Sequence, residues 1–134
     1  MAAAWAAPEV GDIVWCIVPY VDHAGRTSQV RHPALILAVD AHLKAVQVAV
    51  VGGASERGKR PRKSTDLLIQ KTDAWFKETG LSNDTVFHFA RRYQLPYTPA
   101  HFVVSVNGTP KLGKLSAKYP ELVDRLRRAL KAAS

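Results

Sequence analysis

The chain has 134 residues, 47% of them hydrophobic, and a single cysteine, Cys16. That is the size of one domain with enough apolar content to bury a continuous core without disulfides or a metal. The lone thiol excludes an internal bridge and points to a reducing compartment. Nineteen Lys and Arg against eleven Asp and Glu leave a net charge of +8, a balance that favours contact with RNA, DNA or an acidic protein.

The opening MAAAWAAPEV has neither a positive n-region nor a long apolar h-region, so it does not read as a secretory signal. Residues 1–10 are expected to be a flexible leader, and residues 11–134 one barrel domain. No stretch approaches the roughly 20 apolar residues of a membrane-spanning helix. A soluble, cytoplasmic protein without membrane association is expected.

Gly11-Asp12 opens the β-branched and aromatic run IVWCIVPY, which predicts a first strand over 12–18 with Cys16 as a buried core thiol. From Pro19 to His32 the chain carries Asp22, His23, Gly25, Arg26, Thr27, Ser28, Gln29 and Arg31, the composition of an exposed, mobile loop. ALILAV at 34–39 and AVQVAVV at 45–51 predict a hairpin of buried strands. After Gly52-Gly53, Arg57, Lys59, Arg60, Arg62 and Lys63 place five basic residues within seven positions, the strongest local charge signal in the chain.

A short strand at 66–70 should precede a helix within TDAWFKETG, capped by Thr72 and stopped by Gly80. TVFHF at 85–89 alternates like a strand, Leu95-Pro96-Tyr97 reads as a turn, and FVVSV at 102–106 before Asn107-Gly108 reads as a last strand and turn. Pro120 suits a first helical turn, and Leu122, Val123, Leu126, Ala129 and Leu130 give the following helix one apolar face. Its other face, with Arg125, Arg127, Arg128 and Lys131, reads as ordinary solvated surface. The whole is a mainly β protein with short helices (α+β) and about six strands.

Several of these pieces occur in one order: Gly-Asp-Ile-Val-Trp at 11–15, Pro-Ala-Leu-Ile-Leu at 33–37, Gly-Gly-Ala-Ser at 52–55, Leu95-Pro96-Tyr97, and Leu-Gly-Lys-Leu-Ser at 112–116 before a final helix. In that order and spacing the chain resembles the PemK/MazF family of toxin–antitoxin ribonucleases over roughly residues 11–130. The resemblance implies an SH3-like barrel with a C-terminal amphipathic helix, a symmetric homodimer, a cognate antitoxin, and an endoribonuclease that uses no metal or cofactor. In that family an Arg directly before the Pro of strand two and a Thr or Ser after the next strand act on the scissile phosphate. Here His32 precedes Pro33, Arg31 stands one place earlier, and the Thr position is Ala54, followed by Ser55.

Attack of an RNA 2′-hydroxyl on its own phosphate needs a base, an acid and positive charge on the phosphorane. His32 can exchange a proton near neutral pH and Arg31 can fork onto phosphate oxygens, while Ser55 can donate to the phosphate. Arg31, His32 and Ser55 are therefore the candidate catalytic set. Arg26, Arg57, Lys59, Arg60, Arg62 and Lys63 are the candidate contacts to a single-stranded RNA backbone. Adjacent strand residues point to opposite faces, so Arg31 and His32 can share one phosphate only if the strand begins at Pro33. Residues 19–32 and 53–63 are expected to flank one concave basic site. Trp15 and Trp75 read as core residues rather than base-stacking platforms, and no His or Cys pair has metal-binding spacing. The second reading is a catalytically silent barrel of the same family that binds nucleic acid or a protein.

Overall fold

The computed structural model describes residues 5–21, 27–40, 45–51, 64–105 and 108–133. Strands β1 (Asp12–Val21), β2 (Thr27–Asp40), β3 (Ala45–Val51), β4 (Asp66–Ile69), β5 (Thr85–Pro96) and β6 (Lys111–Lys114) form one six-stranded sheet, with helices α1 (Phe76–Thr79) and α2 (Pro120–Ala132). The strand order is β4-β5-β3-β2-β1-β6 and every pairing is antiparallel. This is the mainly β architecture with a C-terminal helix that the sequence predicts.

The β-branched and aromatic positions sort by the strand period of two onto two faces. On one face Ile13, Leu35, Ala49, Leu67, Ile69, Phe87 and Phe89 pack with Trp75 and with Leu122 and Ala129 of α2. On the other, Val14, Cys16, Ala34, Ile36, Val46 and Val48 lie with Phe102, against which Trp5, Leu95 and Tyr97 pack. Trp5, within the expected leader, meets the Tyr97 ring edge-on at 5.4 Å. Burial of these side chains is the main stabilising contribution, roughly 1.5–3 kcal/mol for each large one.

The two outer strands are joined through the helices, α1 lying against β6 and α2 against β4. Glycines make the α1–β6 contact possible. A Cβ at Gly113 would collide with the backbone of Glu78 and Thr79, and one at Gly80 with the carbonyl of Leu112. Gly80 also holds φ +71°, the left-handed geometry of a helix stop. Asp12, the residue after the opening glycine, is buried: its carboxylate accepts the Glu9 N–H at 3.0 Å and pairs with Lys111 of β6 at 3.2 Å.

Four expectations change. The polar stretch 19–32 is strand at both described ends, Pro19–Val21 and Thr27–His32, with 22–26 outside the described residues. Its register, Ile17↔Arg31 through Val21↔Thr27, is continuous with the rest of the β1–β2 pair. The helix expected from Thr72 is only Phe76–Thr79 and has no side-chain cap. Asp73 is engaged in a closed turn instead, its N–H donating to the Gln70 carbonyl at 2.9 Å and its carboxylate accepting the Gln70 N–H at 2.7 Å. Leu95 and Pro96, expected as a turn, end β5 opposite Val46 and Ala45.

The sixth strand is 111–114 rather than 102–106. Both segments compete for the outer edge of β1, and β6 takes it with Pro110, whose carbonyl accepts the Trp15 N–H at 3.0 Å. The 102 region is left one bridge, Cys16↔Phe102, flanked by Ile17 N–H to His101 O at 2.7 Å and Val103 N–H to Trp15 O at 3.2 Å. Helix α2 begins at Pro120 as predicted, with Pro120 in its first turn.

Candidate functional site

Beyond the point where β3 joins at Ala34, β2 continues as a ribbon with β1, its only partner strand among the described residues. Proline at 33 lacks the N–H a strand interior uses and so reads as a strand start. In the fold it sits opposite Trp15, inside β2. Because the strand runs through Arg31 and His32, the two side chains leave opposite faces.

Arg31 shares the face of Trp15 and Ile17. Its guanidinium lies 4.8 Å from the Trp15 ring centroid and the residue is exposed, while Trp15 is half-buried. Stacking of a weakly hydrated cation on an indole contributes about 0.5–1 kcal/mol at an exposed site. His32 lies opposite Cys16 on the Phe102 face, half-buried. The Cys16 thiol is fully buried and desolvation pushes its pKa up to about 12, so it is a core group and no nucleophile.

The structure therefore divides the candidate catalytic set: of its described members, Arg31 and His32 cannot address one phosphate from the same side. Ser55 and the basic residues Arg26, Arg57, Lys59, Arg60, Arg62 and Lys63 lie outside the described residues, as does the expected loop 53–63. On α2 the basic face is partly neutralised: Arg125 pairs with Glu121 at 2.6 Å and Arg128 with Asp124 at 2.8 Å. Arg125 also lies 5.3 Å from the ring centroid of buried Trp75, which packs in the core as expected.

A histidine–carboxylate pair forms only in the fold. His88 Nδ1 donates to Asp66 Oδ1 at 2.9 Å, across the β4–β5 pairing, with the side chains 14% and 5% exposed. The signal was present in TVFHF, where His88 occupies the alternate position to Phe87 and Phe89 and so the opposite face. Its partner is 22 residues earlier in the chain, and only the register brings them together.

Among the described residues no group of three or more His, Cys, Asp or Glu stands ready to hold a metal ion, and no helix is long and apolar enough to cross a membrane.

No protein-family model matches the chain, and no curated protein matches it by sequence. Among solved structures, it is similar to a chain of the MazE–MazF complex (Form-II) from Deinococcus radiodurans, with a TM-score of 0.55 and 17% identity over 93% of each chain. At that identity the likeness speaks for the fold, and the fold is the MazF-type one that the sequence motifs lead one to expect.

Proposed function

We propose that this protein is the toxin of a toxin–antitoxin pair, a metal-independent endoribonuclease that cuts single-stranded RNA through a 2′,3′-cyclic phosphate. The observation that carries the reading is the fold likeness, which spans 93% of the chain and of its counterpart in a MazE–MazF complex. The net charge of +8 and the basic run 57–63 suit a polyanionic substrate. His32 is the proton-exchanging residue of the proposed site, with Ser55 as a phosphate donor and Arg26, Arg57, Lys59, Arg60, Arg62 and Lys63 as backbone contacts. The protein acts in the cytoplasm as a homodimer and is restrained by a cognate antitoxin. The opposite orientation of Arg31, over Trp15, favours a second reading in which the barrel binds nucleic acid or a protein without cutting.

Purified protein incubated in EDTA with a long single-stranded RNA is expected to give discrete fragments with cyclic-phosphate ends, and intact RNA selects the second reading. Reversing the charge of Arg60 and Arg62 should weaken RNA binding at low salt and flatten its salt dependence, since fewer counterions are released when fewer phosphates are contacted. An unchanged salt slope removes the 57–63 run from the interface. Light scattering at tens of micromolar should return the mass of a dimer, and a monomer mass counts against the twofold assembly.

A further inference from the structure

We infer that Arg31 and Trp15 form a stacking subsite for one unpaired nucleobase of single-stranded RNA, on the face of β2 opposite to His32. The inference rests on the proposed RNA substrate and is independent of which side chains cut it.

The indole is the seat. Trp15 stands in a strand whose neighbours Ile13, Val14 and Cys16 are fully buried, and its place in that apolar run leads one to expect a core side chain. The fold leaves it out. Among the described residues Trp15 is half-buried and belongs to neither cluster of buried side chains, whereas Trp75 is 4% exposed and packs with the residues under α2. The backbone of Trp15 is fixed all the same, its N–H donating to the Pro110 carbonyl at 3.0 Å and its carbonyl accepting the Val103 N–H at 3.2 Å. A partly open ring on a fixed backbone needs little further ordering when a ligand is added above it.

The guanidinium is the platform. Arg31 pairs with Ile17 and Trp15 with Pro33, so Arg31 and Trp15 are diagonal neighbours on one face, a spacing that a long side chain spans. The residue is exposed and its guanidinium lies 4.8 Å from the Trp15 ring centroid. Arg125 and Arg128 pair with Glu121 and Asp124, but among the described residues Arg31 has no carboxylate partner. It therefore presents a planar, weakly hydrated cation that is seated over a ring on one side and open on the other.

The shape of that group selects the ligand. A phosphate engages only the N–H edge of a guanidinium, whereas a nucleobase covers its plane, and a cation between two π faces is attracted to both. Unpaired bases can be splayed out to stack in this way, and the bases of a duplex cannot. Every base has a π face, so the subsite grips the strand without reading its sequence. The net charge of +8 draws in the polyanion, and Arg31 with Trp15 adds a contact to its bases.

The test compares two oligomers of equal length, a 2′-O-methyl oligoadenylate, which lacks the attacking hydroxyl and is not cut, and an abasic oligomer with the same number of phosphates. Arg31→Ala should weaken binding of the oligoadenylate at least about 5-fold, the lower end of what one stacked base contributes. Arg31→Lys, which keeps the charge and loses the plane, should weaken it as much and yet bind the abasic oligomer as the parent does. Equal losses on the two oligomers would make Arg31 a phosphate contact, and oligoadenylate binding undiminished in Arg31→Lys would reduce it to a charge. Either result overturns the inference and leaves RNA binding standing, whereas a parent that binds neither oligomer overturns the inference and the proposed substrate together.

The ring gives an independent readout in the unaltered protein. Of its three indole N–H resonances, assigned with single Trp→Phe variants, that of Trp15 should move further in NMR spectra with the oligoadenylate than with the abasic oligomer. A Trp15 signal that stays still while the oligoadenylate binds overturns the stack. In cleavage assays Arg31→Ala should raise KM by the factor that it weakens binding, at a kcat within a few-fold of the parent, because a base held equally in the ground and transition states contributes to KM alone. A kcat lowered about 100-fold would place Arg31 on the reacting phosphate and overturn the inference.

Discussion

The end of the sheet under the helices and the β1–β2 ribbon are held by different means. At the helical end, backbone meets backbone at Gly80 and Gly113, and Phe87, Phe89, Trp75 and Leu122 fill the space between sheet and α2. Past Ala34, among the described residues, β2 pairs with β1 alone, and β1 is tied at Trp15–Ile17 to Pro110 and the 101–103 segment, with one arginine lying on an indole. Two isolated strands are marginal in water. Among the described residues the first region is held by close backbone contact and a filled core, and the second by strand pairing.

The contrast is easiest to break at its tight end. Gly113→Val should lose more than about 4 kcal/mol in urea unfolding, because the new Cβ meets the backbone of Glu78 and Thr79, which no rotamer change relieves. Next, Leu122→Ala should lose about 3 kcal/mol by emptying a site where the leucine is 1% exposed. If either variant unfolds at the parent denaturant midpoint, the helices do not close the sheet as described.

The buried thiol sharpens the same comparison at high pH. Cys16 has its pKa raised by burial from 9.0 to about 12 in the folded protein, so the unfolded chain gives up that proton first. The stability it contributes is whole below pH 9 and is lost as the pH climbs toward 12, by at most about 1.4 kcal/mol per pH unit. Tyr97, raised from 10.0 to about 12 by burial and then by Asp12, adds to the same loss. Cys16→Val should make the alkaline slope shallower, and native protein should resist iodoacetamide until denatured. Rapid alkylation of the folded protein at neutral pH would contradict the packing of the Phe102 face.

The smallest effect belongs to the ribbon. Arg31→Ala should cost no more than about 1 kcal/mol, the worth of an exposed cation on a ring. A loss above about 2 kcal/mol would mean that the ribbon is held as firmly as the helical end.

What could be read in advance follows the same division. Pro120 marked the first residue of α2 and apolar positions at helical spacing its inner face, while the short apolar runs marked the second half of β2 and all of β3, and alternation the start of β5. Thr27–His32 was hidden because its polar composition cannot be told from that of a loop, and only the pairing with β1 shows it to be strand. The 102–106 run misled because apolar alternation marks fitness for a sheet edge and does not say which of two segments wins it. His32 was legible through its place before Pro33. Asp66–His88 was not, since its two halves meet only once the β4–β5 register is known.

The faces of β2 provide the most direct test. His32→Ala and Arg31→Ala, assayed side by side on one single-stranded RNA in EDTA with binding measured in parallel, separate the side that bears His32 from the side that bears Arg31. The account predicts that His32→Ala cuts at least about 100-fold more slowly while binding almost as well as the parent, and that Arg31→Ala cuts within a few-fold of the parent rate. A His32→Ala protein that cleaves at the parent rate beside an inactive Arg31→Ala protein would contradict it.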